Sequence, residues 1–152
     1  MSVSADVYEM IRASMTHTVP FARHVGVELT SLADGVASAR LESTPDKLNH
    51  MGTFHAGALF TLAETAAGGA VAGCLAPFLL KLKAFPTAMD INFFAPCSTV
   101  AMAKSTVVGT MVDIRAALKA EQRVSFGVEV ELTDDSKARV ASISSTWVAN
   151  LR

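Results

Sequence analysis

From Ala56 to Leu80 the chain is dense in Ala, Gly, Leu and Val and carries one charged side chain, Glu64. A helix that is apolar on nearly every face must be covered on nearly every face. The rest of the sequence therefore has to wrap this segment. A membrane span is the competing reading, but four glycines, Pro77 and a lone carboxylate argue against it, as do the alternating strands on either side. Carboxylates are rarely buried without a partner, which makes Glu64 the residue that most needs explaining.

The flanking sequence supplies the wrapping. Val3, Val7, Met10, Ile11 and Met15 recur at roughly helical spacing and predict a short amphipathic N-terminal helix. From Val25 the period changes: "VGVELTSL" and "GVASARLE" read as strands joined by a hairpin at Ala33-Asp34-Gly35. Pro45 and Asp46 break the chain before a polar stretch, "NHMGTFHA", and the long helix should end between Leu75 and Pro77. Four more strands follow, in "TAMDINFFA", "STVAMAKSTVVG", "RVSFGVEVEL" and "ARVASISSTWVA", with a short helical connector between Val112 and Gln122. Asp134-Asp135-Ser136 makes the last turn. The expectation is an α+β fold: a curved, six-stranded, mostly antiparallel sheet around a long central helix, with a short N-terminal helix. At 152 residues and 51% hydrophobic composition, residues 1–152 fit a single domain.

A net charge of −1, with Lys and Arg scattered, gives no footprint for nucleic acid. Cys74 and Cys97 lack metal-ligand or redox spacing and read as small buried hydrophobes of a reducing compartment. Asp6, Glu9 and Arg12 stand where a signal peptide needs an apolar core, so the N-terminus reads as part of the domain and the protein as cytoplasmic.

The start of the long helix has the chemistry of an acyl-transfer site. Beginning near His55 to Gly57, it presents unpaired backbone N–H groups to a developing negative charge. Ala56 and Gly57 are small enough to let a carbonyl approach, Asn49 can orient water or carbonyl, and Glu64 is the nearby base or nucleophile. On one helix Ala56 and Glu64 lie about 12 Å apart along the axis, so they cannot serve one carbonyl together. Cooperation requires a homodimer in which one subunit supplies the N–H groups and its partner the carboxylate, with the two helices antiparallel across a two-fold axis. Each residue also has a plain structural reading: Glu64 hydrogen-bonded to Thr61 or the sheet, His55 a polar group at a helix start, Asn49 the cap of a turn. A metal held by His50, His55 and Glu64 has no recognised ligand spacing.

Taken together, Asn49-x-x-Gly52-x-x-His55-Ala56-Gly57-x-x-Phe60-x-x-Ala63-Glu64 resembles the signature of hotdog-fold acyl-CoA thioesterases of the phenylacetate type, Asn-x-x-Gly-x-x-His-Gly-Gly with an acid nine positions after the His. "AMDINFFAPC" (88–97) is similar to the family's strand after the central helix, with its Asp-x-Asn. Ala56 and Glu64 resemble most an uncharacterised thioesterase-like subgroup. The resemblance implies a hotdog fold, Glu64 as the catalytic carboxylate, Asn49 positioning water or carbonyl, His55 holding the thioester and the Ala56 N–H as oxyanion donor. The sequence departs from the family at Ala56, where the motif has Gly. It departs again at Ala88, where some members carry Ser or Thr in the substrate pocket; Thr87 is adjacent but on the opposite strand face in regular register.

The resulting expectation is a thioesterase for small or medium acyl-CoA, with Gly57, Thr87 and Ala88 contacting substrate. No metal or redox cofactor is called for, and CoA arrives as part of the substrate. The expected assembly is a homodimer, with further pairing to a tetramer left open, and with no nucleic-acid or membrane partner. Lys81, Lys83, Arg115 and Lys119 are candidates for the CoA phosphates, and Phe54, Phe60, Phe78, Phe93 and Phe94 for pocket walls. The alternative is a non-catalytic acyl-CoA or lipid-binding hotdog protein in which Glu64 is structural.

Overall fold

The computed structural model describes residues 2–152. The chain forms α1 (Ala5–Thr18), α2 (Pro20–Val25), β1 (Glu28–Ala33), β2 (Val36–Glu42), α3 (Ala56–Cys74), β3 (Leu82–Phe93), β4 (Val100–Val107), α4 (Met111–Glu121), β5 (Arg123–Thr133) and β6 (Arg139–Leu151). Short 3-10 turns at Pro45–Lys47 and Ala76–Lys81 flank α3 and its connection to β3. The six strands form one sheet in the order β1-β2-β4-β5-β6-β3, every neighbouring pair antiparallel. Among the described residues, no helix is long and apolar enough to cross a membrane.

The long apolar segment is the helix around which the sheet curves. α3 packs against β1, β2, β4 and β5, burying Leu59, Leu62, Ala63, Ala66, Ala67, Ala70 and Val71. Alternate residues of the strands, among them Leu41, Val128, Leu132 and Ile143, meet it from the sheet. A fully buried Leu of this kind contributes roughly 1.5–3 kcal/mol. The abundance of Ala and Gly has a steric cause, since a helix seated this deep leaves little room for side chains between its backbone and the sheet. A Cβ on Gly69 would lie 2.9 Å from the Ala37 Cβ, and one on Gly73 only 1.9 Å from the Ala33 carbonyl oxygen. Ser105 of β4, fully buried, fastens the two layers, its hydroxyl donating to the Ala66 carbonyl at 2.6 Å. Arg115 of α4 closes the far end, donating to the last-turn Cys74 carbonyl at 2.7 Å while pairing with Asp34 of the β1–β2 turn.

Two boundaries and one register differ from the sequence reading. The strand expected from Val25 begins at Glu28, because Pro20–Val25 form a helix that ends on Gly26 in the left-handed region (φ 93°). The strand expected from Thr87 begins at Leu82 and tolerates Pro86 because β3 is an edge strand, where a missing N–H costs no ladder bond. A bulge between Pro86 and Ala88 then shifts its register against β6.

The two sheet edges are treated differently. β1 is short, bulged and covered by α1, whose Arg12 donates to the Leu29 carbonyl at 2.8 Å. β3 is twelve residues long, has no partner strand on its outer side among the described residues and, with the residue after it, exposes Phe85, Phe93 and Phe94. A long apolar edge of this kind is a ready template for another strand.

Candidate active site

The loop before α3 is built by Asn49. Its Oδ1 accepts from the backbone N–H of Met51 (2.9 Å) and Thr53 (3.3 Å), and its Nδ2 donates to the Thr53 hydroxyl (2.9 Å). A bridge between Leu48 and Phe54 closes the loop, with Gly52 at φ 74° making the reversal. Two further bonds fix its exit: Phe54 N–H to the Cys97 carbonyl and His55 N–H to the Lys47 carbonyl. Asn49 thus holds the loop that delivers His55 to the start of α3, which is the turn-capping reading of this residue.

His55 is the N-cap of α3. Its Nδ1 accepts from the Gly57 N–H at 2.8 Å, which places the neutral ring's proton on Nε2. Glycine at 57 makes room for this arrangement, since a Cβ there would lie 3.1 Å from Nδ1. The Ala58 and Leu59 N–H groups both find the His55 carbonyl. Of the first-turn donors only the Ala56 N–H has no acceptor among the described residues. It is therefore the donor left available to an incoming oxyanion.

Glu64 lies two turns further on. Gly57, Phe60 and Glu64 follow one another along the narrow face of α3 that the sheet leaves open. The carboxylate is half-buried, and burial pushes its pKa above the ordinary glutamate value. It has no hydrogen bond or ion pair among the described residues, and Thr61 donates instead to the Gly57 carbonyl at 2.8 Å. The reading of Glu64 as an acid tied to Thr61 or to the sheet is thereby set aside.

The remaining candidates are dispersed. Thr87 is the extra residue of the β3 bulge, exposed, with its hydroxyl on the Thr146 carbonyl at 3.3 Å. Ala88 pairs with Thr146, whose side chain lies on the sheet face away from α3. Within one chain neither joins the Ala56–Gly57 group. Arg115 is tied to Cys74 and Asp34, and lines a recess with Phe78 and Lys119 beside α4, toward the end of α3 opposite His55. It is a structural clamp and not a free phosphate ligand. Phe54 is core, whereas Phe93 and Phe94 sit on the open β3 edge, 48% and 50% exposed. Cys74 and Cys97 are buried free thiols; burial pushes the Cys74 thiol up to about 11 and raises Cys97 as well, so neither is a ready thiolate. Among the described residues no three His, Cys, Asp or Glu side chains converge as a metal site, so His50, His55 and Glu64 do not form one.

A cleft of about 290 Å³ adjoins the helix start, lined by Phe21 and Val25 of α2, by Lys47, and by Gly57, Ala58 and Thr61 of α3. Sequence reasoning does not find it, because α2 is not foreseen and an isolated Phe in a polar run carries no periodicity. Pro20 followed by Gly26, a helix-start and helix-stop pair, is the usable signal.

Solved structures share this architecture. A Pseudomonas aeruginosa protein described as a probable thioesterase superposes with a TM-score of 0.81 at 21% identity, covering 100% of this chain and 99% of that one. The PaaI protein of the Escherichia coli phenylacetic acid degradation operon gives 0.74 at 20% identity, covering 97% and 95%. The phenylacetic acid degradation protein PaaI of Thermus thermophilus, solved as a point mutant, gives 0.68 at 24%, covering 87% and 99%. No curated protein matches the sequence. The family model described as a domain of unknown function, DUF4442, matches residues 8–149. The chain belongs to the DUF4442 family and has the hotdog fold.

Proposed function

We propose that the protein is a thioesterase acting on small or medium acyl-CoA. The observation that carries this reading is the pair of unpartnered groups on the open face of α3: the Ala56 N–H and the desolvated Glu64 carboxylate. The substrate carbonyl accepts from Ala56, and the Nε2–H of His55 steadies the thioester. Glu64 either takes a proton from attacking water or itself attacks the carbonyl, forming an anhydride that water then opens. Both routes break the C–S bond and release a carboxylic acid and the CoA thiol. A raised pKa makes Glu64 a better base than an exposed glutamate, and no metal or redox cofactor is needed.

Ala56 and Glu64 of one chain are about 12 Å apart along α3, so the reading requires the carboxylate of a second copy. The open β3 edge with its exposed phenylalanines is the surface such a copy would cover. Thr87 and Ala88, on that edge strand, would approach the substrate through the same pairing.

The decisive variant is Ala56→Pro. Ala56 is the first residue of α3, where proline is accepted, and His55 at φ −61° and ψ 139° has the conformation a residue before proline prefers. The change deletes one N–H and little else. Free-thiol release from a panel of acyl-CoAs should fall about 10²–10³-fold in kcat, with circular dichroism and oligomeric state unchanged. Undiminished turnover would refute the oxyanion role.

A non-catalytic acyl-CoA or lipid-binding role is the second reading. It is favoured by Asn49, whose side chain is engaged in its own loop. Tight acyl-CoA binding without thiol release would support it.

A further inference from the structure

We infer that the cleft between α2 and the start of α3 receives the acyl arm of the substrate, and that Phe21 sets the length of chain it accepts. This rests on the thioesterase reading for the identity of the ligand.

The cleft flanks Gly57 and Ala58, so a carbonyl held at the Ala56 N–H has one of its two arms directed into it. Its lining ends at Thr61 and does not include the chain's own Glu64. The choice between the two arms follows from the lining, where several polar groups bond within the chain. Lys47 donates to the Glu42 carbonyl at 3.1 Å, Asp46 accepts from the Thr44 hydroxyl, Thr61 donates to Gly57, and the His55 Nδ1 is occupied by the Gly57 N–H. What remains facing the space is largely hydrocarbon and aromatic surface, from Val25, Ala58 and Phe21, with His24 beside Phe21 at a ring separation of 6.5 Å. Such a lining suits an alkyl or aryl group. The volume of about 290 Å³ lies at the bottom of the range for ligand pockets, roughly 300–1,000 Å³.

Phe21 is the wall most able to set that size. It is 66% exposed and contributes nothing to the core, which α2 reaches through the neighbouring Ala22. Truncating Phe21 therefore enlarges the cleft without removing a buried contact.

The test uses S-alkyl-CoA thioethers of graded length, which bind without being cleaved, titrated calorimetrically into wild type, Phe21→Ala and Phe21→Trp. Wild-type affinity should rise with chain length to a break and then fall. The break should move at least two carbons longer in Phe21→Ala and shorter in Phe21→Trp, with the shortest ligand bound within about 3-fold by all three. Parallel profiles, or no binding of any thioether, would overturn the assignment. Acyl-CoA hydrolysis is measured in parallel: shifted breaks without hydrolysis would sink the thioesterase reading alone, and hydrolysis with parallel profiles would sink the cleft alone.

Discussion

Replacing Gly73 by Ala sets two opposing effects against each other where α3 passes over the β1–β2 turn. At Gly73, in the last turn of α3, the change is worth at most about 1 kcal/mol in favour of the folded state, because Ala loses less backbone freedom on folding. Against it, the new Cβ would lie 1.9 Å from the Ala33 carbonyl oxygen, far inside the distance at which real Cβ atoms are found. The obstacle is backbone, and the turn that carries it is held by the Arg115–Asp34 pair, so it cannot swing aside as a flexible side chain would. Forcing extra volume into a packed site costs roughly 1–3 kcal/mol, and an immovable neighbour puts this one at the upper end. The net expectation is a loss of about 2 kcal/mol. Gly68 is the control: a Cβ there meets the Trp147 ring at 3.7 Å and the Met15 methyl at 3.9 Å, both ordinary contacts, so Gly68→Ala should gain about 0.5–1 kcal/mol. Urea unfolding at fixed protein concentration separates the two. With a slope near 2 kcal/mol/M, Gly73→Ala should lower the midpoint by roughly 1 M and Gly68→Ala should raise it, both with unchanged slope. A Gly73→Ala midpoint at or above wild type would refute the argument that the helix is seated against the turn.

Glu64→Gln should be more stable than wild type at pH 7. A raised carboxyl pKa means the folded state resists ionisation, so wild-type stability is lost as pH climbs from the ordinary carboxylate value, about 4.3, through the higher folded value; the advantage of Gln should vanish at lower pH. The acid limb of kcat/KM in wild type should likewise lie above the ordinary glutamate range, and an unshifted limb would separate Glu64 from the titrating base. Arg115→Met removes the bond to the Cys74 carbonyl and the pair with Asp34, and should cost about 1.5–3 kcal/mol in urea unfolding with little effect on turnover. Asn49→Ala should loosen the loop before His55, seen as faster amide exchange at Met51 and Thr53; exchange equal to wild type would show the loop to be held by other contacts.

The linear sequence carried the elements that period and punctuation encode. The apolar run of α3, its end just ahead of Pro77, the Asp34-Gly35 turn and the alternation in β5 are local signals, each legible because the cause lies within a few residues. The spacing from Asn49 through His55 to Glu64 is also local, and it pointed to the candidate site through its resemblance to the thioesterase signature. Tertiary structure decided what those residues do. Asn49 turns inward to its loop because Thr53 and Met51 fold back over it, and Glu64 stands unpartnered because Thr61 bonds along the helix axis. Arg115 is a clamp because β1–β2 and the end of α3 converge on it from distant parts of the chain. The cleft exists only where α2 meets α3, two segments well separated in the chain with no shared pattern. Sequence periodicity reports which face of an element is apolar; the direction of a single polar side chain depends on which partners the fold brings within hydrogen-bond reach.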